Sequence, residues 1–212
     1  MPILNNISEA IIRGDIANIR KLTTEMLALG NSADDILREG LIKGMDIVGE
    51  RMQTEEMFIP EVLLSAKCMG EAVEVLKPHL SADSVGTAGN VVIGTVKGDL
   101  HDIGKNLVAM MLESAGFNVT DLGVNVAPEA FVKAVKDHKA DIVALSALLT
   151  TTVPMMRETI EALKESGPTS DFKFIMVGGA PVSRELAMEI GADGFAIDGG
   201  SAVNVTRELM QK

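Results

Sequence analysis

One histidine in this chain stands where a metal ion could use it. The run Lys97-Gly98-Asp99-Leu100-His101-Asp102-Ile103-Gly104 puts His101, one of three histidines, two residues after one carboxylate and next to another. A metal-ligating histidine commonly donates its second ring N–H to a carboxylate, which fixes the tautomer and raises the basicity of the ligating nitrogen. Asp99 is spaced to accept that bond in an extended or turning loop, where positions i and i+2 share a side. Gly98 and Gly104 would let the backbone turn and approach a ligand closely. Two plainer interpretations compete: a loop histidine packed beside an acidic helix cap supplied by Asp102, and a phosphate loop. The second fails on its residues. The run matches neither G-x-G-x-x-G nor the P-loop pattern, and an acidic pair repels phosphate.

A loop of this kind needs a frame, and the hydrophobic pattern supplies one. After Asn90, β-rich runs at Val91–Val96, Asn118–Leu122, Ile142–Ser146, Phe174–Val177 and Gly194–Ile197 alternate with helical stretches at about Lys105–Ala115, Pro128–Lys136, Val153–Glu165, Arg184–Ile190 and Ala202–Met210. Five strand–helix units predict a Rossmann-like (flavodoxin-like) five-stranded parallel sheet covered on both faces, in the order 2-1-3-4-5. Ligands bind such sheets outside the carboxyl ends of the strands, where the order reverses. The loops after Val96 and Leu145 flank that point.

The first 80 residues carry a different period. Apolar residues recur three and four apart, from Ile7 through Leu22 and Met45 to Leu76, with breaks at Gly14-Asp15, Gly30-Asn31-Ser32 and Glu55 to Pro60. This predicts a four-helix bundle with short connections, Asp15 as an N-cap and Pro60 at a helix start. The expected architecture is therefore α/β with an all-α cap: a bundle over 1–80, a small-residue linker over 81–89 and the sheet domain over 90–212.

Composition excludes several functions. The formal charge is −11, with no Lys/Arg cluster to reverse it locally, which argues against nucleic acid and anionic membrane as partners. No stretch reaches the roughly 20 apolar residues of a membrane span. One cysteine, Cys68, precludes an internal disulfide. With no leader-like N-terminus, this points to the cytoplasm. Cys68 falls on an apolar helical stripe and reads as a small buried hydrophobe. His79 reads as solvent-facing, and His138 as a dipole partner at a helix end. The chain has 13 Met, no Trp and no Tyr, so a large flat ligand would be held by aliphatic side chains and backbone.

Three elements occur together at fixed spacing. Asp99-x-His101-x-x-Gly104 is followed after 41 residues by Ser146-Ala147-Leu148, and after 29 more by Gly178-Gly179. Each element falls just after a predicted strand. The set resembles the D-x-H-x-x-G … S-x-L … G-G signature of cobalamin-binding domains in which a protein histidine displaces the cofactor's own base from cobalt. The helical half, above all Val48-Gly49-Glu50-Arg51-Met52 through Met57-Phe58-Ile59-Pro60, is similar to the cap module of methionine synthase and of corrinoid proteins from methylamine, methanol and methyl-ether methyltransferase systems.

That resemblance implies a role for each matching position. His101 matches the cobalt ligand and Asp99 its carboxylate partner, with Asp102, Ile103, Gly98 and Gly104 shaping the loop. Ser146 and Leu148 match the lining of the nucleotide-tail pocket. Gly178 and Gly179 match the pair that leaves room for the tail. Thr152 keeps the hydroxyl that methionine synthase supplies with a serine, and Thr150 is expected at the corrin edge or tail. Asp193-Gly194 and Asp198-Gly199-Gly200 either line the tail or turn the chain. Met52 and Ile59 fall where methionine synthase places Phe and Leu over the upper cobalt face. The Phe-to-Met change leaves room for Phe58 there, and all three could equally be bundle core.

The implied function is a corrinoid methyl carrier rather than an independent enzyme. It would bind cobalamin base-off and histidine-on. It would shuttle a methyl group from a donor-specific methyltransferase, of O-demethylase or methylamine type, to an acceptor methyltransferase serving tetrahydrofolate or a thiol. A reductive activator is an admissible further partner. The linker would let the cap swing aside. The alternatives are an adenosylcobalamin mutase subunit, which needs a substrate barrel, and a flavodoxin-like phosphoacceptor signalling domain. The latter wants an acidic cluster at the first strand and an Asp ending the third, where this chain has Ala144-Leu145-Ser146.

Overall fold

The structure is a computed structural model and describes residues 4–80, 88–166 and 172–212. They fall into two compact units: residues 4–80 with 113–116, and residues 88–112 with 117–212.

The helical unit contains α1 (Leu4–Ile12), α2 (Ile16–Ala28), a long third helix and α5 (Ile59–Leu76). The third helix begins as α3 (Ala33–Asp35), widens into a π-helical segment (Ile36–Ile42) and continues as α4 (Lys43–Gln53). The Ser8 hydroxyl of α1 donates to the Gly40 carbonyl in that segment (2.7 Å), fastening the two helices where the backbone is locally rewound. The inward stripe is aliphatic: Ile7, Ile11, Ile19, Ile36, Leu41, Val48, Val62 and Leu76 are fully buried. Cys68 lies in this core, and burial pushes its thiol up to about 12.

The helix starts show which polar residues cap. Ser32 accepts the Asp35 N–H (3.0 Å), and the Phe58 N–H donates to Glu61 (2.9 Å) one turn into α5, with Pro60 at the start. Asp15 occupies the expected N-cap position of α2, and its carbonyl accepts the first helical N–H groups, but its side chain caps no backbone N–H. Its carboxylate is taken by the Asn18 side chain at 3.0 Å instead.

The second unit is a parallel sheet of β1 (Asn90–Thr95), β2 (Asn118–Asp121), β3 (Ile142–Ser146), β4 (Phe174–Gly178) and β5 (Gly194–Ala196), in the order β2-β1-β3-β4-β5. The crossovers are α6 (Ile103–Ser114), α7 (Pro128–His138), α8 (Val153–Glu165) and α9 (Arg184–Glu189), and α10 (Gly199–Met210) follows β5. Strands β1 and β3 are buried along nearly their whole length because helices cover both faces of the sheet. Val92, Val143, Leu145, Ile175 and Val177 pack with Phe131, Val135, Met156, Ile160 and Leu163 of α7 and α8. The edge strands β2 and β5 are the short ones, four and three residues, which limits exposed pairing edges.

Two helix starts differ from the sequence expectation. α6 begins two residues early, so Ile103 and Gly104 are helical. α10 begins three early, because Asp198 caps it by accepting the Ser201 N–H (2.7 Å). Most of the expected linker, residues 81–87, lies outside the described residues. Its last residue, Gly89, is held to the sheet, its carbonyl accepting the Asn118 N–H at 2.9 Å.

Candidate functional site

The strand register brings the three motif elements together. Thr95 pairs with Ser146, and Ser146 with Gly178, so the ends of β1, β3 and β4 form one row along the carboxyl edge of the sheet. The loop after each strand then starts from the same line.

The first loop is a tight turn followed by a short reach to α6. The Asp99 N–H bonds the Val96 carbonyl (3.1 Å), and Gly98 takes φ +84°, the sign a type II turn requires at its third residue. A Cβ at Gly98 would meet only Thr152 Cγ2, at 3.7 Å, so the glycine is needed for its backbone angle rather than for space. Gly104, by contrast, is an ordinary helical residue with open space about it, so it is not required for a turn.

Asp99 is the centre of the site. It has no exposure to solvent, yet all its acceptor capacity is used. Oδ1 accepts the backbone N–H of His101 (3.1 Å) and faces His101 Nδ1 (2.7 Å). Oδ2 accepts the N–H groups of Leu148 (2.7 Å) and Leu149 (3.2 Å) and the Thr152 hydroxyl (2.8 Å). Burial alone would raise its pKa. The bonds from Leu148, from the His101 ring and backbone and from Thr152 outweigh burial and hold the carboxyl well below the usual carboxylate range. A carboxylate can only accept, so Nδ1 of His101 carries a proton and Nε2 of the neutral ring keeps its lone pair. The His101 side chain is 51% exposed, although the Asp99 beside it is wholly buried. From β1, the buried Thr95 hydroxyl donates to the His101 carbonyl (3.0 Å).

The other expected positions divide. Thr152 is buried and joined to Asp99. Ser146 is half-buried at the end of β3, and Leu148 (44% exposed) and Thr150 follow on the surface. Asp102 is exposed and accepts the Asn106 side-chain N–H (3.1 Å) one turn into α6. The glycine pair has a reason of its own. A Cβ on Gly179 would lie 1.9 Å from the Ala147 carbonyl oxygen, and one on Gly178 would lie 2.8 Å from that of Ala196. The atoms that forbid side chains there are this chain's own backbone. Asp193 binds the Ile175 N–H (2.7 Å), and Asp198 caps α10, so both have structural partners.

In the helical unit, Phe58 is 66% and Ile59 45% exposed, and Met52 is half-buried. Phe58 and Ile59 are not bundle core. The buried residue of that segment is Met57. Leu63, one turn after Ile59 on α5, extends the exposed apolar stripe.

Several residues were not legible beforehand. Leu100, Val124, Leu149 and Ile197, like the expected Ile103, are exposed apolar residues, and all stand in or just after loops that leave the carboxyl ends of strands. Apolar side chains in such loops mark a ligand surface. A loop leucine directly after a strand was the available signal. Lys105 was also missed: it is buried in α6, ion-paired with Asp121 at the end of β2, and bonded to Asn106 (2.6 Å).

Fold and site together define an α/β ligand-binding domain with one metal-competent imidazole at its switch edge, preceded by a helical module. The comparisons with known proteins are specific. Residues 89–206 match the family described as "B12 binding domain", and residues 3–77 match a second family of the same description. The chain is 39% identical to monomethylamine corrinoid protein 2 of Methanosarcina barkeri, over 99% of this chain and 98% of that one. Its structure resembles a cobalamin-binding protein from Desulfitobacterium hafniense (TM-score 0.82, 34% identity, 97% and 98% covered). It also resembles the methanol:cobalamin methyltransferase complex of Methanosarcina barkeri (TM-score 0.86, 27% identity, 99% and 80% covered). The chain belongs to the B12-binding corrinoid proteins, and its cofactor is a corrinoid. Among the described residues no helix is long and apolar enough to cross a membrane.

Proposed function

We propose that this protein is a methyl carrier that binds its corrinoid base-off, with His101 as the lower cobalt ligand. The carrying observation is the His101 ring itself. It is tied at Nδ1 to a buried, fully satisfied carboxylate and half-exposed, so that Nε2 offers its lone pair. The residues around it suit a corrinoid. Exposed aliphatic side chains in the surrounding loops offer dispersion contact to a large flat ring, and open space at Gly104 admits one. When bound, the corrinoid supplies a cobalt centre that takes up and gives up a methyl group.

The protein's own part is ligation, orientation and shielding. Asp99 holds the imidazole in the ligating tautomer, and Thr152 and the Leu148 and Leu149 N–H groups keep Asp99 ionised as its partner. Ser146, Leu148, Thr150, Gly178 and Gly179 would receive the nucleotide tail beside the loop of Gly98, Asp102 and Ile103. The exposed Phe58 and Ile59, with Met52, supply apolar side chains suited to contact with a corrinoid.

The partners on this view are a donor-specific methyltransferase and an acceptor methyltransferase acting on tetrahydrofolate or a thiol, with a reductive activator restoring oxidised cobalt. The likeness to a monomethylamine corrinoid protein over nearly the whole chain favours a methylamine-type donor over a methyl ether. The first test is the EPR spectrum of the protein reconstituted with Co(II) cobalamin, unlabelled and with 15N-histidine. The axial nitrogen splitting should change on labelling and vanish in H101A. An unchanged splitting would mean that the benzimidazole remains on cobalt. Methyl transfer from methylamines, methanol and aryl methyl ethers, each with its cognate methyltransferase, then identifies the donor.

A further inference from the structure

Asp99 accounts for the orientation of the His101 ring but not for the path of the backbone that carries both residues. That path is held from the β2–α7 loop. Asn125 donates its backbone N–H to the Asp99 carbonyl (3.0 Å) and accepts the Gly98 N–H on its side-chain Oδ1 (2.8 Å). The two bonds bracket the Gly98–Asp99 step, where φ of Gly98 is +84°.

Asn125 itself has φ +55°, the left-handed region that asparagine tolerates better than other residues bearing a Cβ. This conformation aims both its amide groups at the same neighbouring loop. An exposed asparagine held in an uncommon backbone angle, with both groups committed to the ligand loop, is more than a surface turn residue.

The base of its loop is fixed independently. The Gly123 carbonyl accepts the Thr95 N–H (2.9 Å), and the Val126 N–H donates to the Thr95 carbonyl (3.0 Å). Asp121 accepts the Gly123 N–H on Oδ1 (2.8 Å) and pairs with buried Lys105 through Oδ2. The chain of contacts therefore runs from Lys105 through Asp121 and Gly123 to Thr95, whose hydroxyl holds the His101 carbonyl.

We propose that Asn125 is a positioning residue for the cobalt-ligand loop: by bracketing Gly98 and Asp99 it sets the backbone from which His101 is presented, and so the strength of histidine ligation. This rests on the assignment of His101 as the cobalt ligand. Without the bracket, the turn samples other conformations, and ligation must first re-order it. Loss of one neutral hydrogen bond is worth about fivefold in such an equilibrium.

The test uses the full chain in unsubstituted, N125A, N125G and N125D forms. Each is reconstituted with Co(II) cobalamin at neutral pH and examined by EPR for the ratio of histidine-ligated to histidine-free cobalt. Amide exchange at Gly98 is followed in the cofactor-free proteins. N125A and N125G should each lower the ligation ratio about fivefold and speed Gly98 exchange by a similar factor. N125D keeps the acceptor and tolerates the left-handed angle, so it should restore most of both. N125G removes the backbone strain that N125A retains, so a loss shared by the two reports the missing acceptor rather than strain.

Histidine ligation in the unsubstituted protein, with an unchanged ratio in N125A and N125G, overturns the inference and leaves the His101 assignment standing. Absence of histidine ligation from the unsubstituted protein sinks that assignment and this inference with it. Loss of ligation in N125D equal to that in N125G also counts against a positioning role for the acceptor.

Discussion

Two stretches at the carboxyl edge of one sheet, the Lys97–Gly104 loop and the Gly178–Gly179 turn, are built on opposite principles. The loop is a polar construction. A buried carboxylate collects five contacts from four residues and fixes one half-exposed ring. The turn is a steric construction. It presents no side chain, and its glycines exist because the Ala147 and Ala196 carbonyls already occupy the space. Both fall within one family signature, yet only the loop presents polar side chains. A motif position can be restricted in type because of what it does, or because of what its neighbours leave no room for.

The contrast is tested most severely at the turn. G179A should be the most damaging single change. It combines φ +120° with a Cβ placed 1.9 Å from a backbone oxygen, and neither the angle nor the carbonyl can yield cheaply. A loss of roughly 4 kcal/mol or more is expected, with little folded protein recovered. A soluble, cooperatively melting G179A that merely fails to bind corrinoid would show that the glycine serves the ligand after all.

Next in size is D99N. An amide cannot replace a carboxylate that accepts on both oxygens, because its NH2 must face either the His101 groups or the Leu148, Leu149 and Thr152 donors. The cofactor-free protein should lose roughly 3 kcal/mol in urea unfolding. The pH dependence has a definite sign. Asp99 has a depressed native pKa, so its contribution is present above the unfolded value of about 4 and disappears as pH falls through the native value. Wild-type stability should therefore fall steadily below about pH 4, and D99N should lack that component of the slope.

T152A removes one of the donors to Asp99 and should cost about 1 kcal/mol, with T152S recovering most of it by thermal melting. An effect no larger is expected at His101, the proposed cobalt ligand. H101A keeps the backbone N–H that bonds Asp99 but removes the ring donor, so the cofactor-free protein should lose about 1 kcal/mol, comparable to T152A. Corrinoid ligation should nonetheless be lost. A large destabilisation by H101A would erase the distinction between scaffold and ligand within the loop.

The polar centre of the site was legible because its residue types are costly and its spacing is short. Asp99 and His101 lie two apart, and the structure joins them by the bond their spacing allows. Thr152 was reachable only through the family resemblance, 53 residues from its partner. Asn125 and the Lys105–Asp121 pair were not reachable. An asparagine after a strand looks like any turn residue, and a lysine on a helix looks solvent-facing until β2 is brought beside it. The exposure of Phe58 and Ile59 was also undecided. An apolar residue at a helix start is equally consistent with core and with surface, and only the packing of Met57 inward settles which way the segment turns.

Local periodicity determined where the strands and helices fall, the helical first part and the loop that carries the histidine, because each depends on residues within a few positions of one another. What tertiary structure alone decided is the convergence of those parts. The parallel register sets Thr95, Ser146 and Gly178 in one row, and that row delivers the Leu148, Leu149 and Thr152 donors to a carboxylate about fifty residues earlier in the chain. Buried charge is tolerated only where every acceptor site is satisfied. Whether Asp99 could be such a charge was a question about three-dimensional neighbours, which no spacing along the chain contains.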